Sequence, residues 1–187
     1  MKKLLVLTGV LLTLIVLYPK KTGEIFRDLK TTISPHFYSE TVKGDDLVKR
    51  NGLYYKNHTD VPFTGKEETY SDGQLKRKGH YIDGKEDGLW EIYWNNGQLA
   101  SKGHYIGGKE DGLWEDHWED GPLASKGHYI DGKEDGLWET YYYNGPLASK
   151  GHFKDGKLDG LWEEFKKDGT VDKKFTGTYK NGKKVSD

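Results

Sequence analysis

The chain has 187 residues, 34% hydrophobic and 32% charged, with 25 glycines, six tryptophans, thirteen tyrosines and no cysteine. Without cysteine there is no disulfide, no thiolate zinc site and no lipoprotein acylation site. The net charge is −1; leaving out Lys2, Lys3, Lys20 and Lys21 makes the remainder about −5, which lacks the basic footprint of a nucleic-acid binder and opposes docking on anionic lipid.

Met1-Lys2-Lys3 precedes an apolar run from Leu4 to Tyr18, a charged n-region followed by an h-region. Two readings stand for residues 1–21. Val16-Leu17-Tyr18-Pro19-Lys20 lacks the small residues of a cleavage site, which favours an uncleaved signal anchor, a hydrophobic helix holding the body at a membrane and outside the cytoplasm. The run is fifteen residues, short of the ~20 that span a bilayer, which favours a cleaved signal peptide and a secreted or periplasmic product. Residues 22–48 read as a linker, with a short helix from Gly23 to Ile33 ended by Ser34-Pro35. Asn57-His58-Thr59 fits the glycosylation sequon, which matters only in a eukaryotic secretory pathway.

Residues 49–182 form the main domain. Trp90, Trp114, Trp138 and Trp162 recur every 24 residues in segments reading G-L-W-E. A fixed period means units stacked on their neighbours instead of folded around one centre. Low hydrophobicity with many aromatics excludes simple disorder and fits a thin, solvated sheet. Asn96-Gly97, with Asp72-Gly73, Asp120-Gly121, Asn144-Gly145 and Asp168-Gly169, predicts two-residue type I′ hairpin turns. A second turn class, around Asp83-Gly84, Asp131-Gly132 and Asp155-Gly156, returns the chain to the next unit.

Two-residue turns fix a register. Glu91 faces Lys102, and the same rule pairs Glu67 with Lys78, Glu115 with Lys126, Glu139 with Lys150 and Glu163 with Lys174. It sets Trp90, Trp114 and Trp138 opposite Gly103, Gly127 and Gly151, where a ring covers a bare backbone position. Alternation places Trp90, Ile92, Trp94, Leu99 and Tyr105 on one face, and Leu89, Glu91, Tyr93, Ala100, Lys102, His104 and Ile106 on the other. Five units give about ten strands, an elongated, twisted antiparallel meander ~50 Å long and ~20 Å wide. Gly52 to Gly65 is a degenerate leading unit; Phe175 to Gly182 is a final half-unit displaced by a two-residue insertion; residues 183–187 are a polar tail.

The pattern G-x-W-x-x-[YF]-x-x-[ND]-G, then L-x-x-x-G and a D-G-K-x-x-G turn, resembles MORN repeats, in particular the bacterial variant of YwqK-type antitoxin-like proteins. It is carried by Gly88, Trp90, Tyr93 and Gly97, by Gly136, Trp138, Tyr141 and Gly145, and by Gly160, Trp162, Phe165 and Gly169. The unit from Gly112 departs by placing His117 where the family has Tyr or Phe. The resemblance covers about residues 52 to 182 and implies an all-β meander with a scaffold or binding role.

No catalytic, cofactor or metal site is read from the residues. His80, His104, His128 and His152 recur with the period, but equivalent positions lie two strands, about 10 Å, apart, whereas zinc needs ligands within ~2.1 Å. The acidic turns lack the alternating carboxylates of calcium loops. Carboxylates copied in every unit are structural; catalysis needs unequal roles at one place. Glu115 to Asp120, with His117, is the one local exception. The candidate binding face is aromatic: Trp90, Trp94, Tyr105, Trp114, Trp118, Tyr129, Trp138, Tyr142 and Trp162. Its first expected partner is another protein. The alternative is a carbohydrate or cell-wall glycan, since Trp-Glu-Thr-Tyr-Tyr-Tyr-Asn-Gly resembles the aromatic hairpins of choline-binding repeats. An antitoxin-like neutralising role ranks behind both, because an exported body is separated from a cytoplasmic toxin.

Overall fold

The computed structural model describes residues 40–187. The N-terminal hydrophobic helix, the signal segment and the Gly23–Ile33 helix expected from the sequence lie outside them. Among the described residues, no helix is long and apolar enough to cross a membrane.

The fold is all-β. Fourteen strands run β1 Thr41–Val42, β2 Leu47–Arg50, β3 Leu53–Lys56, β4 Gly65–Ser71, β5 Gln74–Ile82, β6 Lys85–Tyr93, β7 Leu99–Ile106, β8 Lys109–His117, β9 Leu123–Ile130, β10 Lys133–Tyr141, β11 Leu147–Lys154, β12 Lys157–Glu164, β13 Gly177–Lys180 and β14 Lys183–Ser186. Twelve form one sheet in the order β1-β4-β5-β6-β7-β8-β9-β10-β11-β12-β13-β14. From β4 onward this is an antiparallel meander; β1 joins its first edge in parallel. β2 and β3 make a separate hairpin. Strands thus reach into the segments read from the sequence as linker and polar tail.

The two turn classes exchange roles relative to the sequence reading. Both central residues have positive φ at Asp83-Gly84, Gly107-Gly108, Asp131-Gly132, Asp155-Gly156 and Asn181-Gly182, and at Asp72-Gly73 in the first unit. These are the two-residue turns with the twist that hairpins require. At Asn96-Gly97 only Gly97 is left-handed. There Gly97 N–H donates to the Trp94 carbonyl and Trp94 N–H to the Gln98 carbonyl, a three-residue turn with a glycine bulge. Trp118 and Tyr142 open the same turn in the next units.

The expected register nonetheless holds at Trp90↔Gly103, Glu91↔Lys102, Glu115↔Lys126 and Glu139↔Lys150. A bulge between Ile92 and Tyr93 offsets the longer turn by one residue. It also sets Leu99 opposite Tyr93 instead of on the indole side, because directly paired residues share a face. The first unit has a genuine two-residue turn and the same bulge, so Lys78 pairs with Glu68, not Glu67. In the last unit the return strand is reduced to an isolated Phe165↔Val171 bridge, and Trp162 pairs with Gly177. Glu163 therefore does not pair with Lys174 but with Lys150.

Units are bonded to one another by their two-residue turns. The turn-glycine N–H of Gly108, Gly132 and Gly156 donates to the carbonyl of Glu86, Glu110 and Glu134. Gly84 and Gly182 repeat the bond to Phe63 and Leu158. Beside it, the carboxylates of Asp87, Asp111, Asp135 and Asp159 accept from the backbone of Gly107, Asp131, Asp155 and Asn181. The acidic turns that faintly resemble calcium loops use their carboxylates as links between units.

Candidate functional site

One face of the sheet is built on an aromatic ladder. Tyr81, Trp90, Tyr105, Trp114, Tyr129, Trp138, Phe153 and Trp162 follow one another with centroids 5.1 to 6.1 Å apart, each neighbouring pair edge-to-face. Each such pair adds about 0.5–1.5 kcal/mol beyond the area it buries. A single-layer sheet has no second layer to cover its apolar face, so these rings cover one another. Tyr81 and Phe153 belong to the ladder, although the aromatic set read from the sequence omits both.

Each indole lies over a glycine, but not the one expected. A Cβ on Gly79, Gly103 or Gly127 would run into the ring of Trp90, Trp114 or Trp138 respectively, and one on Gly151 would meet Trp162 Cε3 together with the Leu161 carbonyl. Trp90 thus covers Gly79 on the preceding strand, and Gly103, its partner in register on the following strand, lies under Trp114. Trp138 shows the choice directly: it pairs in register with both Gly127 and Gly151 and its ring covers Gly127. The indole N–H of Trp114 and Trp138 then reaches the carbonyl of His104 and His128. The periodic histidines thus contribute backbone here. Leu89, Leu113 and Leu137 lie opposite His104, His128 and His152 as the sequence indicates.

The reverse face carries a row of alternating charge. Glu68, Lys78, Glu91, Lys102, Glu115, Lys126, Glu139, Lys150 and Glu163 are consecutive partners across nine strands. The lysines contact the carboxylate on their C-terminal side, Lys78–Glu91, Lys102–Glu115, Lys126–Glu139 and Lys150–Glu163, at 2.5 to 3.3 Å. Tyr93 and Tyr141 donate to Glu91 and Glu139. His117 replaces that tyrosine, and its Nδ1 bonds instead to the Gly121 carbonyl of its own turn.

These pairs set a pH window. The Lys78 and Lys126 ammonium groups hold Glu91 and Glu139 below the usual carboxylate value of 4.5. A lowered folded pKa gives stability that is present above the unfolded value and is lost as pH falls through the folded one. Burial pushes Tyr105 and Tyr129 up to about 12, with Glu110 and Glu134 adding to it. A raised folded pKa gives stability that is complete below the unfolded value, near 10, and is lost as pH rises through the folded one. The melting temperature is therefore expected to be flat between about pH 5 and pH 10 and to fall on both sides. Thermal melts across pH check this, and a fall beginning near neutrality contradicts it.

The candidate binding residues separate into two groups. Trp90 and Trp114 are 2% and 8% exposed, and Tyr105, Tyr129, Trp138 and Trp162 are half-buried. This inner group is spent on the ladder, and Trp90 and Trp114 have almost no ring area left for a partner. Trp94, Trp118 and Tyr142, at equivalent turn positions, form the outer group. Trp94 and Trp118 are both 37% exposed. Trp94 Nε1 donates to the His117 carbonyl and the Tyr142 hydroxyl to the Phe165 carbonyl, so each ties its turn to the next unit. Trp118 instead packs on Tyr143, centroids 6.0 Å apart. Trp118, Tyr141, Tyr142, Tyr143, Asn144 and Lys167 line a 380 Å³ cleft. The binding face read from the sequence omits Tyr141, Tyr143, Asn144 and Lys167, although the Tyr-Tyr-Tyr run breaks the repeat.

Residues 86–106 and 134–155 match the MORN repeat variant. The two matches indicate a repeat scaffold. No curated protein matches the chain. Among solved structures it is similar to a chain of accessory secretory protein 1, 2 and 3 in Streptococcus pneumoniae, with 12% identity over 69% of this chain and a TM-score of 0.30. It is also similar to a chain of the GtfA/B complex bound to UDP and GlcNAc, with 13% identity over 80% of this chain and a TM-score of 0.23. The chain spans 24% and 36% of the length of those two chains.

Proposed function

We propose that this protein is a non-catalytic MORN-type scaffold, of the bacterial YwqK-like kind, that is tethered to or exported across a membrane and engages another protein along its row of turn aromatics. The observation that carries this is the division of labour among the rings. The ladder consumes the inner aromatics, while Trp94, Trp118 and Tyr143 keep 37%, 37% and 54% of their surface exposed at the turns. Exposed aromatics on a rigid scaffold are what protein interfaces use as anchors. The n-region and h-region of residues 1–21 support the export.

A photo-crosslinking amino acid tests this reading in the producing cells. Placed at Trp94 or Trp118, it should give a discrete adduct with a second protein. Placed at the exposed Leu89 of the reverse face, it should give none. Equal labelling from both faces, or none from the turns, rejects the reading. A glycan is the second reading, favoured by the Asn144 amide beside exposed rings; a saturable oligosaccharide titration without protein adducts would select it.

A further inference from the structure

Three equivalent turns differ in one respect that the repeat does not explain. Trp94 and Tyr142 spend their polar tips on the backbone of the next unit. Trp118 stands at the same position between them, but among the described residues its indole N–H has no acceptor, and its ring leans on Tyr143. Asn144 is similarly released. Its counterpart Asn96 accepts a hydrogen bond from Gln98 N–H and donates to the Glu119 carbonyl. At Asn144 the residue two further on is Pro146, which has no N–H to give. No hydrogen bond of the Asn144 side chain occurs among the described residues. Tyr143 is fixed from behind by its hydroxyl, which donates to Asp120.

The cleft therefore joins a cluster of aromatic rings to three unspent donors: the Trp118 indole N–H, the Asn144 amide and the exposed Lys167 ammonium. A donor-rich, aromatic wall needs an acceptor-rich, apolar ligand. A polyproline II segment has that chemistry, because its carbonyls have no internal partners and its prolines lack N–H. The shape agrees. The Trp118 and Tyr143 planes meet at 65°, which makes a notch for a pyrrolidine ring and not the flat platform that a sugar face stacks on. We propose that this cleft recognises a proline-rich extended segment of a partner protein, with Trp118 donating to a peptide carbonyl and Lys167 favouring an acidic flanking residue. The proposal rests on the protein-scaffold reading above and names the partner's chemistry.

The test is fluorescence anisotropy of dye-labelled acetyl-decaproline titrated with the full chain. Saturable binding is expected. Trp118→Phe, which keeps a ring and removes the N–H, should weaken it about threefold to tenfold. Tyr143→Ala should abolish it, and Leu89→Ala, on the exposed reverse face, should leave it unchanged. Attaching a glutamate to the peptide should tighten binding to the native chain but not to Lys167→Glu. No saturation by the native chain, or equal weakening by Trp118→Phe and Leu89→Ala, overturns the proposal. Crosslinked protein at Trp118 without decaproline binding would sink this proposal alone. Oligosaccharide binding in the cleft without protein adducts would sink the scaffold reading as well.

Discussion

Gly103→Ala is expected to destabilise the sheet by about 2–3 kcal/mol, because the new methyl falls within the Trp114 indole and the two strands have to part. Trp114→Ala, which removes an almost fully buried ring, should cost about 3–5 kcal/mol. The informative measurement is the double variant. With the indole gone, nothing occupies the space into which the added methyl points. The pair should then cost less than the sum of the two singles by about 1 kcal/mol or more. Urea unfolding followed by circular dichroism reads all four corners. Additive costs would mean that the indole rests elsewhere, for instance over Gly127, its register partner on the following strand.

The second large effect lies at the first unit. Arg77 stands where later units have a serine, Ser101 or Ser125. Its guanidinium bonds to the Tyr81 hydroxyl at 2.8 Å, lies 3.5 Å from Glu67 and 3.6 Å from Glu86, and sits over the Trp90 ring. Tyr81 donates to Glu67, whose side chain is 6% exposed. This cluster adjoins the apolar core of Val42, Phe63, Tyr81 and Trp90. Arg77→Met leaves a buried carboxylate without its cation, a change worth about 3 kcal/mol or more. Adding Glu67→Gln should recover most of the loss, since an amide needs no counter-charge. If Arg77→Met melts like the native protein, the guanidinium contributes only packing.

Both predictions bear on how far the residues alone reveal the molecule. The period, the meander and most of the charge row were legible because opposite charges and Trp–Gly pairs recur at a constant separation. Turn types were not. Asn-Gly occurs both in two-residue turns and in the three-residue turn with a bulge, and the extra bulge at Ile92/Tyr93 restores the register that the wrong turn implied. The missed pairings, Glu67 with Lys78 and Glu163 with Lys174, fall where unit length changes and that compensation fails. Which neighbouring glycine an indole covers was also hidden, because alternation assigns a face but not a direction along it. Of the candidate surface, the aromatic identity was legible. The split between rings used internally and rings left at the turns depends on three-dimensional stacking, and the Asn144 release depends on Pro146 two residues away.

The bonds between successive two-residue turns have an implication for lineage. From the turn at Gly107-Gly108 onward, each unit offers its neighbour the same backbone donor and the same carboxylate acceptor, so at these turns one unit can follow another without a seam. Near-identical tandem segments in a gene misalign during recombination, and daughters differ by whole copies. A protein closed in this way accepts such daughters as folded chains, whose reach along the sheet grows or shrinks in steps of one hairpin while the two distinctive ends stay intact.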